Sequence, residues 1–365
     1  MDKPAQFISG IKLSRLFYKK TVAPILHIRF PRLNYSAGLL GAGSEVLGYD
    51  TPVSRDHDWG PKVFIFLSKT SHNEIKEKIA KVLSTNLPHS FLGYPTNFSA
   101  PDSKGVRTPL NITSGPVNHR VAILTTKSFI ETRLKVDPFQ KISVSDWLAF
   151  PQQRLLEIVR GEVFYDGLRE LRRIRKKFRF YPRDVWLYML AAQWIRISQE
   201  EAFVGRCGDV GDELGSRIVA ARIIRDLMRL CFLLEREYAP YSKWLGTAFL
   251  ALKPSKSLIP VFNKILSAET WRKREKHLSE AYAIVAKLCN SKHIIHPLPH
   301  KVSLFHERPY RVIHAVKFAE AFKSKIQSKA IKAIKTNAGA IDQFIDSTDV
   351  LSYPDTAEKI RIWDR

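Results

Sequence analysis

Residues 41–61 read GAGSEVLGYDTPVSRDHDWGP, a Gly-Ser pair at Gly43-Ser44 followed, one loop later, by Asp56-His57-Asp58. The apolar run Val63–Leu67 comes next and predicts a buried strand. In extended backbone, residues i and i+2 point to the same side, so Asp56 and Asp58 are expected to converge on one cation. Two carboxylates so close repel each other unless a cation neutralises them, and Mg²⁺ takes one or two carboxylates together with substrate phosphates. Gly43 lets backbone N–H groups approach a phosphate, and Ser44, opening a helix, adds a hydroxyl. Each half alone is ordinary turn material. Together, ahead of a strand, they predict a phosphate-and-metal site.

The rest of the composition narrows the partners. Lysine and arginine number 59 against 35 acidic residues, a formal charge of +24 over 365 residues. A field of that sign favours polyanions such as nucleotides, RNA and phosphorylated metabolites, and disfavours polycationic small molecules. With 45% hydrophobic residues and seven Trp the chain is globular, and long enough for two domains. No apolar run approaches the roughly 20 residues of a membrane span, so no transmembrane segment is expected. The N-terminal stretch lacks the apolar core of a secretory signal. Cys207, Cys231 and Cys289 are scattered without a Cys-x-x-Cys pair, which fits a reducing compartment. A cytoplasmic protein is the expectation.

Periodicity predicts a helix over 7–28, with Pro24 bending it. A further helix starts at the capping pattern Ser71–Glu74, and strands fall near His119–Thr126 and Gly161–Asp166. Beyond Tyr181 helices are expected at Pro182–Cys207, Asp212–Glu237, Lys256–Leu266, Glu269–Asn290 and Pro309–Ile334, with a loop over Ser291–Pro309. The expected class is α+β. A mixed α/β domain covers 1–135, a connecting segment with a possible last strand 136–180, and a helical domain 181–365.

Gly-Ser, a gap of this length and Asp-x-Asp leading to a strand resemble the nucleotidyltransferase (polymerase-beta-like) superfamily. The longer strings GSEVLGYDTPVSRDHDWGP, QEEAFVGRCGDVGDELGS (Gln199–Ser216), YSKWLGTAF (Tyr241–Phe249) and AIDQFIDSTDVL (Ala340–Leu351) resemble the family known as domain of unknown function 4037. The resemblance implies that Asp56 and Asp58 hold Mg²⁺, that Gly43 and Ser44 meet the phosphates of a nucleoside triphosphate, and that a nucleotidyl group passes to a hydroxyl of an RNA or an anionic small molecule. By analogy with members whose helical domain supplies a base, Glu200 or Glu201 is the candidate, Glu201 foremost, if the helix lines the cleft; an exposed helix face or a buried ion pair with Arg196 is the other reading. One departure stands out. Where many members carry a third carboxylate on a later strand, this chain has Ala122, with Glu131, Glu162 and Asp166 as unplaced substitutes. The alternative is therefore a catalytically inactive nucleotide- or RNA-binding member of the same fold.

Other patterns are weaker. Arg222, Arg225 and Arg229 share a helix face and Lys243 sits between Tyr241 and Trp244, so Arg222 and Lys243 are candidate nucleotide contacts; a solvated basic face is the other reading. Arg169–Arg183 packs eight basic residues into fifteen positions with interleaved aromatics, as in a grip on single-stranded nucleic acid or as a solvated helix face with an apolar underside. His293, His296, His300 and His306 lack the partners and spacing of a metal site.

Overall fold

The computed structural model describes residues 7–103 and 105–364. The chain divides into two compact units, one of residues 1–141 and 154–179, the other of residues 142–153 and 180–365. The α+β class expected from the sequence is observed, with the mixed sheet in the first unit and most helices in the second.

In the first unit four strands lie in the order Arg120–Thr125, Lys62–Leu67, Tyr35–Leu39, Glu162–Asp166. The 35–39 strand runs antiparallel to both neighbours, and 62–67 runs parallel to 120–125. A parallel pair needs a crossover, and the helix Lys69–Asn86 supplies it. That helix starts earlier than the Ser71–Glu74 pattern predicts: Ser68 is the cap, its hydroxyl accepting the Ser71 N–H at 3.2 Å. Gly38 is required where the 35–39 strand is bulged, because a Cβ there would come within 2.6 Å of the Glu162 carbonyl.

Residues 10–29 form one helical run with a π turn over Tyr18–Val22. The widened turn ends just before Pro24, so the missing N–H is absorbed without breaking the helix. Phe17, Val22 and Leu26 from this run pack with Ala37, Val63 and Ile65 of the sheet and with Ile79 and Leu83 of the crossover helix. This single buried cluster, on one face of the sheet, thus fixes the sheet that leads into the candidate site.

The second unit is built on the helices Arg183–Glu200, Glu213–Glu235, Trp271–Ser291 and Ala315–Ser324. Trp194 stacks on Phe318 at 4.2 Å, and Arg274, fully buried, bonds to Glu213, Ser216 and the Ala268 carbonyl. Two helical expectations fail. Pro182–Cys207 breaks after Glu200 and resumes as Phe203–Asp209. Pro309–Ile334 is a strand Arg308–Val312, then the helix Ala315–Ser324 and the short helix Lys329–Lys332. The 308–312 strand pairs with Ser303–Phe305 inside the expected loop, and His314, at φ 55°, turns the chain from strand into helix. Proline fits the exposed start of such a two-stranded ribbon because its missing N–H is not needed there.

Among the described residues no helix is long and apolar enough to cross a membrane.

Candidate functional site

The segment 43–62 folds as a sequence of tight turns rather than as a strand. Gly43, at φ 138°, precedes a single helical turn Ser44–Leu47. A 3-10 turn Pro52–Arg55 follows, and regular strand begins only at Lys62, immediately after Pro61. Asp56 has helical dihedrals and Asp58 is left-handed at φ 48°. The expectation that the two aspartates share one side of an extended strand is therefore corrected. Gly60-Pro61 delays the strand by several residues, and the same-side rule holds only for extended backbone.

Each carboxylate of the segment is already engaged. Glu45, almost fully buried, forms an ion pair with buried Lys62. Its carboxylate also lies against Gly43, where an added Cβ would collide with it. Asp50 accepts the Gly10 N–H at 2.7 Å and the Trp59 indole N–H at 3.0 Å, so it caps the first helix and fixes the indole. Asp56, two-thirds exposed, accepts from the His57 backbone N–H at 3.1 Å and pairs with its ring Nδ1 at 2.8 Å. That contact to His57 holds the Asp56 carboxyl below the usual carboxylate range. Asp58 pairs with Arg120 at 2.7 Å, and its backbone carbonyl accepts from Lys62 Nζ at 2.7 Å.

Arg120 answers the question raised by Ala122. It lies on the parallel strand opposite Lys62, two residues before Ala122 and so on the same face. Where the resemblance calls for a third acid, this face presents a guanidinium to Asp58. Glu131 instead sits 3.5 Å from Lys127, Glu162 pairs with Arg15, and Asp166 accepts from the Ser36 hydroxyl at 2.7 Å and the Arg172 N–H at 3.0 Å. Among the described residues no group of three or more His, Cys, Asp or Glu side chains is gathered as a metal site. The donor set does not fit Mg²⁺. Asp58 is neutralised by Arg120, Asp56 is turned to His57, and a cation at Asp58 would face arginine at close range.

Beside this turn lies a pocket of about 320 Å³ lined by Arg55, Trp59, Gly60, Tyr94, Pro95 and Pro109. The rings of Trp59 and Tyr94 meet edge to face at 5.2 Å. Gly60 packs against Phe98, whose ring carries the guanidinium carbons of Arg107 and Arg120 at 5.9 and 6.0 Å. Burial lowers the Arg107 pKa, the charge of Arg120 lowers it further, and Asp58 offsets part of this. Arg107 and Arg120 thus both feel the Asp58 carboxylate, though only Arg120 is paired with it. Arg107 is held by the carbonyls of Ser99, Asn118 and His119. Sequence reading missed Arg107, Lys62 and the role of Arg120; only Arg120 left a signal, the same-face spacing to Ala122.

The candidates of the second unit have other partners. Glu201 is buried and accepts the N–H groups of Ile313 at 2.9 Å and Ala315 at 3.2 Å. Burial pushes its carboxyl up to about 7 although those bonds oppose the shift. A general base must reach a substrate proton; in the structure this carboxylate is turned to the backbone and anchors the turn into the helix Ala315–Ser324. Arg222 is held by both oxygens of Glu200, at 3.1 and 2.5 Å. Lys243 is exposed and lies over the Trp244 ring at 5.1 Å.

Residues 147–245 match the family model described as Domain of unknown function (DUF4037). The matched segment contains the basic run, Glu201, Arg222 and Lys243 and leaves out Gly43 to Asp58. Among solved structures, the crystal structure of a nucleotidyltransferase-like protein from Exiguobacterium sibiricum 255-15 is 12% identical, over 86% of this chain and 89% of that one, with a TM-score of 0.32. A likeness at that level carries no residue-by-residue correspondence. No curated protein matches the chain.

Proposed function

We propose that the first unit is a nucleotidyltransferase-like module that binds a nucleotide through arginine and aromatic contacts and does not carry out metal-dependent transfer. The observation behind this reading is the pairing of Arg120 with Asp58, with Arg107 and Arg120 both against the Phe98 ring that packs on Gly60 of the Trp59–Tyr94 pocket, whose own lining includes Arg55. The pocket lies within the usual size range of small-molecule sites. Its aromatic walls suit a base, and Arg55 in its lining, with Arg120 beyond Phe98, suits phosphates, which guanidinium groups bind in a forked geometry. A bound phosphate would relieve the repulsion between Arg107 and Arg120. In this reading Asp58 is a counter-charge that holds Arg120 ready, Gly43 and Ser44 shape the turn, and no acceptor, RNA or small molecule, is needed.

Substitution of Asp58 separates this reading from metal-dependent transfer. Calorimetric titration with ATP in excess EDTA is expected to show binding, and Asp58→Asn to bind more tightly because Arg120 loses its internal partner. Arg120→Ala is expected to weaken binding by at least about tenfold, as for loss of a charge-assisted contact. ATP binding that needs Mg²⁺ and is lost in Asp58→Asn, together with transfer of label from a triphosphate to RNA or a metabolite, would overturn the proposal and restore Mg²⁺-dependent transfer.

A further inference from the structure

A second cationic feature lies elsewhere in the first unit. The helix Glu170–Lys177 buries Leu171 and Ile174 beneath it, and Phe178 closes its end. Its outer side and the chain just after it contribute Arg172, Arg175, Lys176 and Arg179 to a groove of about 490 Å³, walled on the other side by Gly161, Glu162 and Val163. The strand Glu162–Asp166 is at the edge of the sheet.

The two acids of the facing strand are already paired. Glu162 is taken by Arg15, and Asp166 is buried and bonded to Ser36 and to the Arg172 backbone. Arg175 is directed inward, donating to the carbonyls of Val159 at 2.5 Å and Gly161 at 3.2 Å, where it fixes the wall. Arg172, Lys176 and Arg179 are exposed, and Lys176 and Arg179 have no acidic partner among the described residues.

Their spacing shows what kind of anion fits. Arg172 and Lys176 are one turn apart, i and i+4, about 6 Å along the helix axis, and Arg179 follows just beyond the helix end on the same groove. A converging set would suit one phosphate group; a string suits successive phosphates of a chain. The next face of the same helix adds an aromatic element, with Arg173 over the 40% exposed Phe139 at 5.1 Å. Tyr165, also exposed, lies on the edge strand. Cations that follow a backbone, with exposed rings nearby, are the elements with which proteins hold unpaired strands.

We infer that the groove between the helix Glu170–Lys177 and the edge strand Glu162–Asp166 binds the sugar-phosphate backbone of single-stranded nucleic acid, independently of the nucleotide pocket. Arg172, Lys176 and Arg179 contact phosphates, and Arg175 holds the groove wall.

Fluorescence anisotropy of a labelled single-stranded 12-mer RNA with the full chain tests this. The variant Arg172→Ala/Lys176→Ala/Arg179→Ala is compared with Lys69→Ala/Lys78→Ala/Lys81→Ala, which removes the same charge from an exposed part of another helix. The groove variant is expected to raise Kd at least about tenfold near 50 mM salt and to lower the slope of log Kd against log salt by about 2, as for three lost phosphate contacts on a single strand. The control is expected to change Kd by less than about threefold, since distant surface charges are largely screened. Circular dichroism and melting temperature, expected to be unchanged, report that both variants fold. Equal weakening in the two variants would show a response to net charge alone and overturn the inference. So would absence of RNA binding by the parent chain, tighter binding of the same sequence as a duplex, or displacement of the RNA by ATP at equal phosphate concentration.

Discussion

The turn at 43–62 and the helix at 170–177 both attract attention by charge, and they use it in opposite ways. In the turn, Glu45, Asp50, Asp56 and Asp58 each have a partner within the chain, in Lys62, Gly10 with Trp59, His57 and Arg120 respectively. Along the helix, exposed cations outnumber the acids near them, and the facing-strand acids Glu162 and Asp166 are bonded elsewhere. A charge neutralised by its own fold stabilises that fold; a charge left to solvent is available to a ligand. Motif strength and availability are therefore different properties, and here the stronger motif is the less available site.

The contrast is most exposed to test at the Glu45–Lys62 pair. Both side chains are over nine-tenths buried, so removing one leaves the other charged and desolvated. Lys62→Met is expected to cost about 3–5 kcal/mol in the urea unfolding transition of the first unit. Glu45→Leu/Lys62→Met is expected to recover much of that loss, because an apolar pair removes both desolvation costs. A cost below about 1 kcal/mol for the single variant would mean that the turn is not held by its internal pairs.

Much of this architecture is readable in the sequence, for physical reasons. Apolar runs such as Val63–Leu67 report burial on both faces, and the 10–29 helix announces itself by a stripe at helical spacing. The second unit's hairpin was not readable, because Arg308–Val312 is held by the distant Glu275 side chain, which accepts the Arg311 N–H, and by Tyr310 packing rather than by local propensity. The partners of Asp56 and Asp58 were hidden for a similar reason. Spacing states which residues alternate, but Arg120 reaches Asp58 only through the parallel pairing of strands separated by a crossover helix and a long loop. Of the site, its position at the start of the second strand could be read, and the identity of its counter-ion could not.

Glu201 extends the comparison to a carboxylate satisfied by N–H groups without a cation. Burial raises its pKa from 4.5 to about 7. Between those values the folded chain keeps a proton that the unfolded chain has released. Stability from this group is therefore full below about pH 4.5 and is lost as pH rises toward 7. The integrated effect is about 3 kcal/mol. Glu201→Gln is expected to flatten this dependence, so that the free-energy difference between variant and parent shifts toward the variant from pH 5 to pH 8. Parallel pH profiles would show instead that Glu201 stays ionised in the fold. Asp342, pushed up to about 6 by burial, contributes a residual slope at lower pH in both proteins.

Asp50 is intermediate, a half-buried carboxylate with two neutral donors. Asp50→Ala leaves the Gly10 and Trp59 N–H groups without their acceptor and is expected to cost about 1–3 kcal/mol. Trp59 lines the pocket proposed to hold a nucleotide, so the same variant is expected to weaken ATP binding while leaving RNA binding unchanged. Equal losses of both would mean that the pocket and the basic groove are not independent.

The smallest stability effect is expected at Asp56, and it bears most directly on what the motif is for. Its carboxylate is exposed and its pairing with His57 is local. Asp56→Asn should leave the unfolding midpoint of the first unit unchanged, in contrast to Lys62→Met. If Asp56 is a structural remnant of the turn, ATP affinity in EDTA and in Mg²⁺ will also be unchanged. If affinity falls only when Mg²⁺ is present, Asp56 is a metal ligand after all, and the pairing of Asp58 with Arg120 must open for that ion to enter. Stability is expected to be silent at Asp56, so only the Mg²⁺ dependence of binding distinguishes a carboxylate kept for the fold from one kept for chemistry.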